Sequence, residues 1–251
     1  MNAARIRAQL LMELRLTITN GESLLLVLGI PVLLLLFFGS VDVLPTDTVT
    51  DETVAFLLPG ILALAVMSTA FVNLAISTGF DRHYGVLKRL GATRLTRGEL
   101  LTAKVVTLVI VEALQFVVLI VIGVVLGWPH GDVSVLTAVL TAGAAALLAT
   151  IAFAGLGFLL AGAASGLVVL AAANAIYLVL LLASGLVIPL EEFASGVRDV
   201  VRILPSTALG EITQGAMRDG ADVPTRAWIT LAAWAVATPV IASRTFRWAP
   251  S

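Results

Sequence analysis

Few side chains in this sequence could do chemistry. Glu112 is the one ionisable residue well inside a long apolar stretch, with Gln115 three positions on and on the same helical face. A charge in hydrocarbon costs at least ~2.5–3.5 kcal/mol on insertion scales, so a carboxyl held there is a functional candidate by default. Two readings are open: an ion-coupled carboxyl, or a carboxyl and an amide that hydrogen-bond to neighbouring helices. There is no cysteine, and His83 and His130 are the only histidines. Thiol catalysis, thiolate metal sites and a cysteine lipid anchor are therefore excluded, and a His-based metal site has little to build on. No Gly-x-x-x-x-Gly-Lys-Ser/Thr phosphate loop occurs, and the only lysines are Lys88 and Lys104, so the chain does not bind and hydrolyse ATP by the usual route. No catalytic residue, metal site or bound cofactor is expected. If the chain pumps, its energy comes from a separate ATPase or from an ion gradient.

The elements that position these residues follow from composition. Of 251 residues, 59% are hydrophobic and 12% charged, against roughly a quarter charged in soluble domains. A soluble domain of this length could not hide so much apolar surface. A net charge of −1 offers nothing to a polyanion, so no nucleic-acid partner is expected. A membrane crossing needs about 20 mostly apolar residues, and the uncharged runs give six: residues 23–41, 53–80, 104–126, 134–161, 167–188 and 227–243. Pro31 is tolerated inside the first. From Val133 to Leu190 no charge occurs; one helix of that length would reach about 87 Å, so it must turn back, and Gly162-Ala163-Ala164-Ser165-Gly166 is the turning point. The last span is short, with Trp228 and Trp248 near its ends, where interfacial aromatics belong. The expectation is an all-α polytopic membrane protein of one transmembrane domain.

Six spans put both termini on one side. If that side is cytoplasmic, Arg5, Arg7, Arg15, Arg82, Lys88, Arg89, Arg94, Arg97, Lys104, Arg244 and Arg247 lie inside, and only Arg198, Arg202, Arg218 and Arg226 outside. The positive-inside rule therefore places both termini in the cytoplasm. A signal peptide is the competing reading of the first 41 residues; the long polar lead and the later spans disfavour it. Within residues 3–22, Ile6, Leu10, Leu14 and Ile18 share a face, which predicts an interfacial elbow helix with Arg7 snorkelling.

Two connections carry pattern. In residues 81–104, Val86, Leu87 and Leu90 fall on one face of a short helix and Lys88 and Arg89 on another, Gly91 ends it, and Thr96 with Glu99 forms a capping box for the third span. Such a helix is either a lipid-headgroup anchor or a docking element for a cytoplasmic partner. In residues 189–226, Phe193, Val197, Val200, Val201 and Leu204 repeat at helical spacing until Pro205, and Leu209, Ile212, Ala216 and Met217 predict a second short helix.

The 81–104 connection resembles that of type 2 ABC exporter permeases, a family that includes bacterial drug, polysaccharide and lipid exporters. Their acidic-Arg-x-x-Gly-x-Leu-x-x-Leu-x-x-Thr-Pro pattern is matched by Asp81, Arg82, Gly85, Leu87, Leu90 and Thr93, while Arg94 stands at the proline position. The resemblance implies that Asp81 to Thr93, with Lys88 and Arg89, is a coupling helix seated on an ABC ATPase subunit that binds ATP and Mg. It further implies that 189–226 is an external helical hairpin, and that the permease pairs with a second copy or a homologous permease in a prokaryotic plasma membrane. Thr69, Asn73 and Ser77 in the second span and Asn174, Tyr177 and Ser184 in the fifth form polar stripes. In that family these helices line the central pathway, which makes the six residues substrate-contact candidates; packing between helices is the equal alternative. The mildly polar stripes lead to a hydrophobic or amphipathic substrate, a drug or a lipid. An ion-driven carrier or channel using Glu112 without an ATPase is the alternative.

Overall fold

The computed structural model describes residues 2–40, 50–128, 134–187, 190–218 and 223–246. Val41, most of the 42–52 and 128–132 connections with His130, residues 188–189, Arg247 and Trp248 lie outside the described residues.

The described residues form helices and no strand: α1 (Ala3–Thr19), α2 (Gly21–Ser40), α3 (Thr50–Met67), α4 (Leu74–His83), α5 (Val86–Gly91), α6 (Arg97–Val125), α7 (Val135–Ala163), α8 (Gly166–Ala183), α9 (Ser195–Val201), α10 (Pro205–Met217) and α11 (Thr225–Thr245). A π-helical turn, Ser68–Asn73, joins α3 to α4 without a break, so one continuous helix runs from Thr53 to His83. Among the described residues, five helices are long and apolar enough to cross a membrane: Thr53–His83, α6, α7, α8 and α11. The apolar stretch Leu25–Gly39 of α2 is shorter. The uncharged run from Val133 reverses between Ala163 and Gly166, where Ala164 and Ser165 are extended.

Helix α7 is the centre. Its Ala and Gly residues admit α11 so closely that a Cβ at Gly155 would overlap the Thr238 side chain. Thr238 Oγ1 donates across the contact to the Ala152 carbonyl at 2.8 Å, the small-residue and hydroxyl packing that membrane helices use when lipid supplies no hydrophobic drive. Helix α10, started by Pro205 in its first turn, is not a surface piece. It packs against α7, α3 and α11, buries Leu209, Ile212 and Met217, and Trp128 Nε1 donates to the Met217 carbonyl at its end. Helix α9 is shallower: Val201 is buried, but Val197 and Val200 of the expected apolar face are exposed.

Helix α1 corrects its sequence reading. Ile6, Leu10 and Leu14 are half-buried, but Ile18 is exposed, and Leu11, Met12 and Leu16 also point outward, while polar Glu13 faces α6. Tertiary ion pairing overrides the simple apolar face, because the buried Lys104 ammonium would be costly without a carboxylate beside it. The Asn2 N–H donates to Glu99 Oε1 at 2.7 Å, and Phe246 shares a buried cluster with Leu87. Both described ends of the chain thus meet α5 and the start of α6 at one end of the bundle.

Candidate functional site

The hairpin from His83 to Arg97 is built around Gly85, whose φ of +73° is a left-handed conformation that glycine adopts without a Cβ penalty. It turns the chain out of α4 and into α5. After α5, Thr93 Oγ1 donates to the Leu90 carbonyl and accepts from the Leu95 N–H. Arg5 of α1 donates to the Arg94 carbonyl at 2.8 Å, so the turn that lacks proline is held from α1. The Thr96–Glu99 capping box then opens α6, and Arg5 lies 3.7 Å from the same glutamate.

Four of the motif residues face inward. Leu87 is 0% exposed, in a cluster with Leu74 of α4, Leu100 and Leu108 of α6, Phe158 of α7 and Phe246 after α11, with Leu90 packed on its edge. Asp81 accepts from Lys104 Nζ at 3.1 Å, and Glu13 of α1 accepts from the same nitrogen at 3.1 Å. Arg82 is buried, and its guanidinium donates to the carbonyls of Ala161 and Ala164, where α7 ends with unpaired acceptors. Lys88, Arg89 and Thr93 are exposed, together with His83, Tyr84, Val86 and Arg94. The hairpin therefore has an outward, mainly basic tip and a root fixed to α1, α4, α6, α7 and the end of α11.

The six polar-stripe residues do not meet on one surface. Thr69 is buried in the π-helical turn and donates to Gln115 Oε1 at 3.2 Å, while Gln115 Nε2 donates to the Val27 carbonyl of α2. Thr69 and Asn73 line a small void of about 30 Å³ with Thr17 and Thr107. Ser184 donates to the Leu181 carbonyl and accepts from the Leu186 N–H at the end of α8, and Tyr177 packs against the main core. Ser77 and Asn174 are exposed on α4 and α8; the Asn174 amide donates to the Leu170 carbonyl.

Glu112, 4% exposed, shares a short hydrogen bond with Thr150 Oγ1 of α7, and its Oε1 has no partner among the described residues. Although Gln115 is three residues away, the two engage different neighbours. Sequence reasoning missed Thr150, Lys104 as a joint between α1 and α4, and Arg82 as the cap of α7. Only a charged or hydroxyl residue in an apolar run could have flagged them, since each partner lies 23 to 91 residues away.

Among the described residues no cluster of His, Asp and Glu could hold a metal ion. No individual curated protein matches the chain. One family does: the sequence model described as ABC-2 family transporter protein matches residues 37–244. That match takes in the His83–Arg97 hairpin, α10 and, but for Thr245, all five long apolar helices, and the chain belongs to the ABC-2 family of transporter proteins.

Proposed function

We propose that this ABC-2 permease is the membrane half of an ATP-driven exporter. It pairs with a second permease copy and two ABC ATPase subunits, which bind ATP and Mg, and moves a hydrophobic or amphipathic molecule, a drug or a lipid, across a prokaryotic plasma membrane. The observation that carries the reading is the His83–Arg97 hairpin, basic and exposed at its tip and fixed at its root to five parts of the bundle. A push on such a tip cannot be absorbed locally. Leu87, Asp81 and Arg82 pass it to α6, α1 and the end of α7, so a rigid element outside the membrane moves several helices inside it.

Six crossings with both termini in the cytoplasm suit the contacts. Both described chain ends meet the hairpin's end of the bundle, which supports an even number of crossings, with α2 joining the five longer helices and α1 as the elbow leading into it. The outward apolar residues Leu11, Met12, Leu16 and Ile18 fit an elbow half-sunk in the headgroup layer. On this reading Ser77 and Asn174 contact substrate in a pathway shared with the second copy, while Thr69, Asn73, Tyr177 and Ser184 hold helices together.

Transport in proteoliposomes tests the function. With the cognate ATPase, uptake into inside-out vesicles should require ATP and persist when ion gradients are collapsed. Transport by the chain alone, driven by an ion gradient and lost in Glu112→Gln, would replace the proposal with a gradient-driven carrier.

A further inference from the structure

Between α6 and α7 lies a groove of about 450 Å³, open to the outside of the bundle and lined by Val109, Ala113, Val117 and Ile120 on one side and Leu140, Gly143 and Leu147 on the other. That size accommodates a drug-sized molecule. Its one ionisable lining residue is Glu112, near the end closer to Arg97. The Thr150 hydroxyl occupies Oε2, and Oε1 is buried without a partner among the described residues. A buried acceptor left unpaired costs about 1–3 kcal/mol, and a turn of the Glu112 carboxyl towards the groove would let a hydrogen-bond donor there satisfy it. Oε1 accepts whether the carboxyl is ionised or carries its proton on Oε2 towards Thr150. At the groove's middle a Cβ on Gly143 would meet nothing within 4 Å, so the space is real on the α7 side.

We infer that this groove is a lateral binding site for a lipophilic amine, whose N–H donates to Glu112 Oε1 while its apolar body lies along α6 and α7 past Gly143. An amine suits the site better than an alcohol because a protonated amine is an ionised donor, and a charge-assisted hydrogen bond is roughly twice as strong as a neutral one; no other charged side chain lines the groove. The groove is lined by α6 and α7 and includes neither Ser77 nor Asn174, and the binding it offers needs no ATPase subunit.

The test uses the full-length chain in nanodiscs of phosphatidylcholine and phosphatidylglycerol, with dansylcadaverine fluorescence as the probe and empty nanodiscs as the blank. Saturable binding is expected, weakened at least tenfold by Gly143→Leu, which fills the groove and leaves the carboxyl intact, and by Glu112→Leu. Dodecylamine should displace the probe at lower concentration than dodecanol. Binding that survives Gly143→Leu overturns the site, as does the absence of saturable binding. Equal displacement by dodecanol overturns the amine assignment, and displacement by added diacylglycerol, a bilayer lipid without an amine, assigns the groove to bilayer lipid instead. Should Glu112→Leu fail to fold, Gly143→Leu decides alone.

Discussion

Lys104 Nζ lies 3.1 Å from Asp81 Oδ2 and joins the last turn of α4 to the first turns of α6. The same ammonium holds Glu13 of α1, so one buried cation neutralises two carboxylates from elements far apart in sequence. Replacing it leaves two like charges facing each other at the root of the hairpin.

Lys104→Met should therefore destabilise the protein by about 2–3 kcal/mol, short of the 3–5 expected for a fully buried pair, because Asp81 is 33% exposed and water screens it. Unfolding in detergent measures the loss. Adding Asp81→Asn to Lys104→Met should recover part of it; a double variant no better than the single would show that the ion pair is not what holds α4.

Gly85 offers a sharper backbone test. Its left-handed φ should cost a substituted valine at least ~1–2 kcal/mol, while asparagine tolerates that region. Gly85→Val should lower both stability and ATPase stimulation, and Gly85→Asn should retain most of each. Equal loss in the two variants would mean that the space around residue 85, not its backbone angle, is limiting.

The contact of α7 with α11 should be intolerant of bulk. Gly155→Leu forces the helices apart where Thr238 donates to Ala152, and the folded protein should not be recoverable in detergent, whereas Gly143→Leu should purify normally. The pair separates close packing from mere loss of glycine in a helix, which by itself would favour both leucines.

Single cysteines placed at Asp47 and Arg94 in this cysteine-free chain should react with impermeant reagents from opposite sides of the membrane. Labelling from one side would overturn the six-crossing arrangement.

The helices were legible in the sequence because uncharged runs, the Ala163–Gly166 reversal, the Thr96–Glu99 box and Pro205 are local signals. Which way a side chain points was not. Leu87 and Leu90 share a helical face with Val86, yet Leu87 is buried while Val86 is exposed, since α5 is too short for periodicity to fix its rotation. The stripe at Thr69, Asn73 and Ser77 has ordinary helical spacing, but the π-helical turn from Ser68 to Asn73 shifts that spacing, and the residues face different neighbours. The family pattern gave Asp81 and Arg82 as part of a partner contact; their hydrogen bonds run inward, to Lys104 and to the end of α7, which only the three-dimensional contacts reveal.

The exposed tip provides the most direct test of ATPase coupling. With the cognate ATPase reconstituted in nanodiscs, ATP hydrolysis is measured for the native complex, for Lys88→Glu with Arg89→Glu, and for Leu87→Ala. The two surface substitutions should leave unfolding within about 0.5 kcal/mol of native and cut hydrolysis at least fivefold, while Leu87→Ala should cost about 2–5 kcal/mol of stability. Native-like hydrolysis in a stable Lys88→Glu, Arg89→Glu complex would contradict the account.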